Sequence, residues 1–275
     1  MGGLTCVLAA SGLWAASGTV ASAKEVLRGV SVRERVVALS FDDGPDPRWT
    51  PRVLSLLGRF HDTATFFVTG ENAAAHPALI RREIAQGDQV GDHTYSHPHL
   101  ERLPALVVQT QIERAARAIE RAGAPPPTLF RPPFGQLDAT VSRTARRDGL
   151  ELVLWSVCVE RRVDHGPIPA EVASILSLIR PGSIILAHDG GEPDRSRTLA
   201  ALPLLLRGLR AHGYKAVTIG RLLTLSRRRA ARKPAALPAV HFASCCLPSA
   251  AGSRARPDPL GSVGMGTRMR LLRFA

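Results

Sequence analysis

The stretch Ser40-Phe41-Asp42-Asp43-Gly44-Pro45 joins an apolar run, residues 36–39, to two adjacent carboxylates and a glycine-proline stop. This pattern is typical of a buried strand that ends in a turn, with its acids where the strand meets solvent. Because neighbouring side chains on a strand point to opposite faces, Asp42 and Asp43 can contact different partners. The stretch therefore predicts two carboxylates with separate roles, although an Asp-Asp-Gly-Pro turn without a function has the same pattern.

The length and composition of the chain suit one α/β domain. With 275 residues and 45% hydrophobic content, the chain can bury a full-sized core. Residues 227–275 carry ten Lys or Arg and one acid, so +9 of the net charge of +13 lies in this tail and +4 in residues 1–226. The basic run at residues 227–233 has no interleaved aromatics. We therefore expect a disordered low-complexity tail, with contact to an anionic cell envelope as an alternative and no specific nucleic-acid binding.

The N-terminal residues have features of an export signal. An apolar stretch at residues 4–16 is followed by Ala21-Ser22-Ala23, which has the small-x-small form of a signal-peptidase site. No Lys or Arg precedes the apolar stretch, so a retained anchor or a mis-assigned start is the alternative. We expect residues 1–23 to be a signal peptide and residues 24–32 a linker, in a protein that is secreted or associated with the cell envelope.

The four cysteines do not indicate a disulfide framework. Cys6 lies in the N-terminal segment, Cys158 stands alone, and Cys245 and Cys246 are adjacent, which would strain a bridge between them. No disulfide that holds the fold is expected.

Short apolar runs alternate with longer amphipathic runs over residues 31–226. The predicted strands cover residues 36–41, 65–68, 89–91, 129–131, 150–157, 183–187 and 214–217. The predicted helices cover residues 51–60, 77–87, 104–121, 138–147, 169–179 and 198–211. About seven strand–helix units without hairpin signals predict a parallel sheet, most simply a distorted (β/α) barrel that forms one catalytic domain over residues 33–226.

The chemistry of such a barrel is expected where its strands end, because the loops that follow the strands form the active face. Polar residues follow the predicted strands at the positions Asp42, Asp43, His93, His97, Arg131, Cys158, Glu160, His188 and Asp189. The sequence therefore predicts that these side chains share one face of the domain.

Two histidines spaced four residues apart, His93 and His97, suggest a metal site. On a helical turn they would lie on one face and reach a single ion through their imidazole nitrogens. No Glu follows His93, which excludes the His-Glu-x-x-His metalloprotease pattern. A strand-end carboxylate is the natural third ligand, because two His and one Asp leave a position open for water. Taken alone, the histidine pair is equally typical of surface or capping residues.

Four motifs occur in order along residues 33–226. They are Ser40-Phe41-Asp42-Asp43-Gly44-Pro45, His93-Thr94-Tyr95-Ser96-His97, Arg131-Pro132-Pro133-Phe134-Gly135 and Ile185-Leu186-Ala187-His188-Asp189. In order and spacing they resemble the motifs of the polysaccharide deacetylase family, the NodB-homology carbohydrate esterases. The resemblance implies a metal-dependent hydrolase of N-acetyl groups.

The resemblance also implies how the first motifs divide their work. Asp43, His93 and His97 would hold a divalent metal, usually zinc, for which cobalt can substitute. Asp42 would be the general base that takes a proton from the attacking water. Arg131 would pair with that base and hold it in place, whereas without the resemblance it reads as a solvated cation at a strand end.

The remaining matched residues would act on the substrate. His188 resembles the general acid that protonates the leaving amine, although a histidine directly after a buried strand is also typical of core packing. The backbone N–H of Phe134, where the family often has Tyr, resembles an oxyanion donor. Leu186 and Trp155 resemble the apolar wall around the acetyl methyl, in addition to any packing role.

The stretch Trp155-Ser156-Val157-Cys158 departs from the family. Relatives commonly have an aspartate at the position of Cys158, and that aspartate is thought to orient the acid histidine and raise its pKa. Without a carboxylate partner, His188 would titrate nearer its ordinary value and be a weaker acid above neutrality. Glu160 and Asp164 are the candidate replacements, and we predict Asp164, which lies in the same loop.

Some residues near the predicted site have no pattern that indicates a role. Arg195 and Arg197 could contact an anionic glycan, but we interpret them as solvated loop residues. His99 is interpreted as a capping, surface or packing histidine.

The sequence predicts a monomeric, metal-dependent deacetylase of an N-acetylated glycan, such as peptidoglycan or a chitin-type oligosaccharide, with acetate as a product. One alternative is a hydrolase of a small non-peptide amide on the same fold. The other is a glycan-binding relative whose catalysis is impaired by the change at Cys158.

Overall fold

A computed structural model describes residues 26–163, 166–192 and 194–231 of the chain. The predicted signal peptide, Asp164 and residues 232–275 of the predicted tail lie outside the described residues. Among the described residues no helix has the length and apolar character that a membrane crossing requires.

Eight short strands form one parallel sheet among the described residues. They are β1 (Val36–Asp42), β2 (Thr65–Val68), β3 (Gln89–Asp92), β4 (Leu129–Phe130), β5 (Glu151–Leu152), β6 (Val157–Cys158), β7 (Ile184–His188) and β8 (Lys215–Val217). The strand order is β5-β4-β3-β2-β1-β7-β6, and β8 pairs with β1. The sheet curls into part of a barrel, which confirms the predicted α/β architecture with parallel strands.

Helices connect the strands, as the alternating pattern predicts. They are α1 (Thr50–Phe60), α2 (Gly70–Ala75), α3 (Pro77–Ala85), α4 (Ala105–Ala122), α5 (Ala139–Arg147), α6 (Glu160–Val163), α7 (Ile168–Leu178), α8 (Ser196–Ala211) and α9 (Ile219–Ala231). Local chemistry sets their ends. The side chain of Asp138 caps α5 by accepting the N–H of Val141, and α4 ends at Gly123, whose φ of 107° is left-handed.

The predicted single strand over residues 150–157 is wrong. Its first part, β5, pairs with β4 at one edge of the sheet, and its last part, β6, pairs with β7 at the other edge. The intervening Ser156 donates its N–H to the carbonyl of Ile184 at 2.9 Å. This segment therefore links the two edges of the curled sheet instead of forming one strand.

The predicted disorder of residues 227–275 is wrong for its first residues. Residues 227–231 continue α9, and Arg227 pairs with Glu151 across 2.7 Å. Helix α2 was not predicted either, because its six residues are too few to show a periodicity.

The central strand β1 is buried on both of its faces. Val37, Leu39 and Phe41 pack in one hydrophobic cluster and Ala38 in a second cluster on the other side. A strand covered on both faces reads as a continuous apolar run, which explains the pattern at residues 36–39. In the register of the sheet, Asp42 at the end of β1 lies opposite His188 at the end of β7, so both side chains reach the same edge.

Candidate active site

A cleft of about 540 Å³ opens at the carboxyl ends of the strands. Its lining includes most of the predicted site residues, which are Asp42, Asp43, His93, His97, Phe134, Trp155, Leu186 and His188. Of the other two, Arg131 is fully buried and Asp164 lies outside the described residues. The structure thus brings together residues that are separated by up to 146 positions in the chain.

Three of these side chains converge on one point. The Nε2 atoms of His93 and His97 lie 3.4 and 3.2 Å from Oδ1 of Asp43. That oxygen is buried and accepts no hydrogen bond from the described residues. Burial alone would raise the pKa of Asp43, but contact with His93 and the charges of His188 and His97 hold that pKa well below its usual range. An ionised oxygen that faces two imidazole nitrogens fits a divalent cation, since imidazole and carboxylate suit such ions.

The two histidines lie on a loop, so the predicted helical turn is wrong. Thr94 and His97 have left-handed φ angles of 70° and 56°. The side chain of Asp92 accepts the N–H of Thr94 at 2.7 Å, and the hydroxyl of Thr94 accepts the N–H of His97 at 3.1 Å. These local hydrogen bonds stabilise a turn that directs both rings to the same carboxylate.

Asp42 is held by the buried side chain of Arg131. Nη1 of Arg131 donates to Oδ1 of Asp42 at 2.6 Å, while Nε and Nη2 donate to the carbonyls of Val153 and Leu154 at 3.4 and 3.2 Å. Arg131 is 0% exposed, so it is not a solvated cation. Its carbonyl also contacts Nδ1 of His93 at 2.7 Å, which leaves Nε2 of that ring free to bind. Arg131 therefore orients both the carboxylate and a histidine of the cluster.

His188 has a carboxylate partner in Glu160, the first residue of α6. Nδ1 of His188 lies 3.3 Å from Oε2 of Glu160, whose Oε1 accepts the backbone N–H of His188 at 2.9 Å and the hydroxyl of Thr198 at 3.0 Å. Burial opposes charge on both groups, yet their contact raises the pKa of His188 and lowers that of Glu160. Sγ of Cys158 lies 3.8 Å from the same carboxylate. The other candidate replacement, Asp164, lies outside the described residues.

Phe134 projects from the cleft wall and has an unusual backbone. Its φ is 59°, its side chain is 52% exposed, and its ring stacks on His99 at a centroid distance of 4.0 Å. No hydrogen bond among the described residues uses its N–H. Trp155 lies beside it, since a Cβ on Gly135 would come within 2.6 Å of the indole. The wall thus offers an aromatic surface and a free backbone donor. His99 packs on this wall, which is one of the three roles that the sequence suggests for it.

Sequence reasoning missed two residues that surround Asp43. Arg195, interpreted as solvated, is 6% exposed, and its Nη2 lies 3.5 Å from Oδ2 of Asp43. Nδ2 of Asn72 donates to the carbonyl of Asp43 at 2.8 Å. Neither residue belongs to a quoted motif, and the only signal was that Arg195 follows His188 closely. Arg197, by contrast, is exposed and pairs with Glu171 at 3.3 Å.

Comparison with known proteins gives consistent matches. Residues 29–153 match the family model described as polysaccharide deacetylase. The chain is 36% identical over 191 residues to a peptidoglycan-N-acetylglucosamine deacetylase of Bacillus cereus, with 69% of this chain and 89% of that protein covered. It is 41% identical over 189 residues to a chitooligosaccharide deacetylase of Sinorhizobium fredii, with 65% and 87% covered. A family 4 carbohydrate esterase from Streptomyces lividans, solved with acetate, superposes with a TM-score of 0.61 at 33% identity and covers 68% of this chain and 93% of its own.

Proposed function

Because the chain belongs to the polysaccharide deacetylase family, as its four motifs predicted, we propose that it removes acetyl groups from an N-acetylated glycan and releases acetate. Peptidoglycan and chitin-type oligosaccharides are the proposed substrates, since relatives named for each match the chain. The observation that carries the proposal is the meeting of a metal-ligand cluster, a held carboxylate and a carboxylate-paired histidine in one cleft.

Asp43, His93 and His97 are the residues that would hold a divalent metal, for which we propose zinc, with cobalt as a substitute. A bound zinc ion would polarise the acetamide carbonyl and lower the pKa of water to about 7. Contacts within the protein orient these ligands before a metal binds. Nδ1 of His93 is engaged by a backbone carbonyl, and Oδ1 of Asp43 has no competing donor among the described residues.

Asp42 takes the proton from the attacking water. The guanidinium of Arg131 occupies one oxygen of Asp42, so the other oxygen, Oδ2, is left for the proton. That oxygen lies 3.8 Å from Nε2 of His93, which places it beside the ligand cluster. Because Arg131 also fixes the rotamer of the carboxylate, the base needs little reorganisation before it reacts.

His188 donates a proton to the departing amine, which leaves poorly unless it is protonated. Its Nδ1 faces Glu160, so Nε2 is the nitrogen that serves the substrate. The raised pKa of His188 keeps more of the imidazole in its acid form near neutrality. The N–H of Phe134 donates to the developing oxyanion, while Leu186 and Trp155 surround the acetyl methyl.

The pairing of His188 with Glu160 argues against a glycan-binding relative with impaired catalysis. The aspartate that the resemblance implies is absent at Cys158, but the half-buried carboxylate of Glu160 contacts His188 in spite of that change. A hydrolase of small amides stays the second candidate in the test below.

We further propose that the protein is extracytoplasmic and exported through residues 1–23, because both proposed polymers lie outside the cytoplasm. We also propose that it is monomeric and able to contact the envelope through its basic tail.

Acetate release tests the proposal directly. The full chain is treated with a chelator, then supplied with zinc or cobalt, and acetate is measured from N-acetylglucosamine oligomers, from peptidoglycan and from a small acetamide. We expect no release after chelation and restored release from a glycan with either metal. Full activity in the chelated protein, or release from the small acetamide alone, would contradict the proposal.

A further inference from the structure

The two oxygens of Asp43 face different partners. Oδ1 lies within 3.4 Å of both His93 and His97, whereas Oδ2 lies 3.5 Å from Nη2 of Arg195. One oxygen therefore belongs to the ligand cluster and the other to a cation. Carboxylates bind metals through one oxygen or through two, so a partner on Oδ2 selects between these modes.

Arg195 is itself held in place, which makes it suited to hold another group. Its Nε donates to the carbonyl of Gly190 at 2.8 Å, and its Nη2 donates to the carbonyl of Glu192 at 3.1 Å. The side chain is only 7% exposed. A planar guanidinium anchored at two carbonyls can present its remaining donors in a fixed direction.

The loop that carries Arg195 also fits closely around Asp43. A Cβ on Gly190 would lie 2.2 Å from the carbonyl oxygen of Asp43, and one on Gly191 would lie 2.8 Å from its Oδ2. Asn72, in α2, donates a hydrogen bond to that carbonyl, and Asp43 has a left-handed φ of 70°. A non-glycine residue keeps a left-handed backbone conformation only where several neighbouring contacts hold it. The glycines allow the close approach, and Arg195 supplies the charge.

We propose that Arg195 is a positioning residue that holds Oδ2 of Asp43, so that this carboxylate binds the metal through Oδ1. The inference rests on the proposed function, because it concerns the same metal site. Partners that orient metal ligands typically contribute about ten- to hundredfold to metal affinity. Arg195 acts on the ligand and not on the substrate, so its loss should weaken metal binding more than it alters the base or the acid.

Zinc titration of the metal-depleted full chain by calorimetry tests this role. Arg195→Gln keeps a side-chain N–H donor but removes the charge, and we expect zinc affinity to fall about ten- to hundredfold. Arg195→Lys should recover part of that loss, because an ammonium keeps a positive charge near Oδ2. Arg48→Gln is the matched control: Arg48 pairs with Asp194 in the same loop at 3.1 Å but is well exposed, so its loss should leave zinc affinity unchanged.

The outcomes separate the role of Arg195 from that of the site. If Arg195→Gln binds zinc like the unmodified protein while its metal-free form unfolds at a lower temperature, Arg195 only anchors the loop and the proposal is wrong. If the unmodified protein binds no zinc or cobalt, the proposed function fails and this inference fails with it. Should Arg195→Gln not fold, Arg195→Lys decides by itself, because an unchanged affinity and cobalt absorption spectrum in that variant would overturn the proposal.

Discussion

The ligand cluster and the acid pair lie on the same cleft but are built differently. Asp43 and His93 follow β1 and β3 directly, and His97 lies four residues further on. The donor atoms of all three lie within 4.8 Å of one another. His188 ends β7, whereas its partner Glu160 begins helix α6, two residues beyond Cys158. Three ligand atoms must meet at one point, so only a few positions in the fold can supply them. A pair needs a single contact, so its carboxylate can come from a neighbouring element.

The largest effect is expected at Asp42, the proposed general base. Asp42→Asn removes the proton acceptor but keeps the shape of the side chain beside Arg131. We expect the rate of acetate release to fall about 10²–10⁴-fold, which is the usual contribution of general base catalysis. Zinc titration serves as the control and should show retained metal binding. An unreduced rate would mean that another group is the base.

Removing the partner of that base tests how far its position depends on a buried charge. Arg131→Met leaves the carboxylate of Asp42 buried without its cation, and breaking such a pair typically costs about 3–5 kcal/mol. Urea denaturation should therefore show a clear loss in the free energy of unfolding. Arg48→Met is the matched control, because Arg48 and Asp194 form an exposed pair whose loss should leave the free energy of unfolding nearly unchanged. Equal losses in the two variants would contradict the structural role of Arg131.

The acid pair is tested by the pH dependence of the rate. Glu160 raises the pKa of His188, and only the protonated imidazole can donate to the amine. Glu160→Gln removes that support, so the pKa of His188 falls. As the pH rises, the rate should therefore begin to decline at a lower pH in the variant than in the unmodified protein. We expect roughly a tenfold slower rate above neutrality and convergence with the unmodified protein at lower pH.

A profile of acetate release against pH measures this shift. If the alkaline limb of Glu160→Gln coincides with that of the unmodified protein, Glu160 does not tune His188. Asp164 would then be tested by Asp164→Asn, since the sequence predicts it as the partner.

The smallest effect is expected at Cys158, where the resemblance implies an aspartate. Cys158→Ser should change the rate less than about twofold, because Glu160 already contacts His188. Cys158→Asp should bring no gain, since the new carboxylate would lie near that of Glu160 and repel it. Acetate release from the same oligomers measures both variants. A large gain in Cys158→Asp would show that Glu160 is an incomplete substitute.

The sequence predicts the parts of the site that a short stretch contains. Asp42, Asp43, His93 and His97 lie at or after the ends of predicted strands, so their common edge could be inferred from the parallel sheet. Contacts between remote elements left no such pattern. Arg195 reaches Asp43 from the start of α8, and Glu160, which the sequence offers only as one of two candidates, reaches His188 from α6. Their roles depend on how far a long side chain extends in three dimensions, which spacing does not reveal.

Local backbone geometry was the other limit. The turn at His93 and His97 depends on left-handed residues and on the side chains of Asp92 and Thr94, none of which has a periodic signature. The segment of residues 150–157 has the composition of one strand, and only the curl of the sheet divides it between two edges.

Asp42 and His188 lie opposite each other on β1 and β7, so the proton-transfer chemistry and the choice of glycan depend on different parts of the fold. The spacing between the proposed base and the proposed acid is set by two neighbouring strands of the sheet, not by any loop. The cleft-lining residues that we propose contact the sugar, such as Phe134 and Trp155, come from connecting segments. We expect that exchanging those segments would redirect the protein to a different glycan while its proton-transfer chemistry stayed intact.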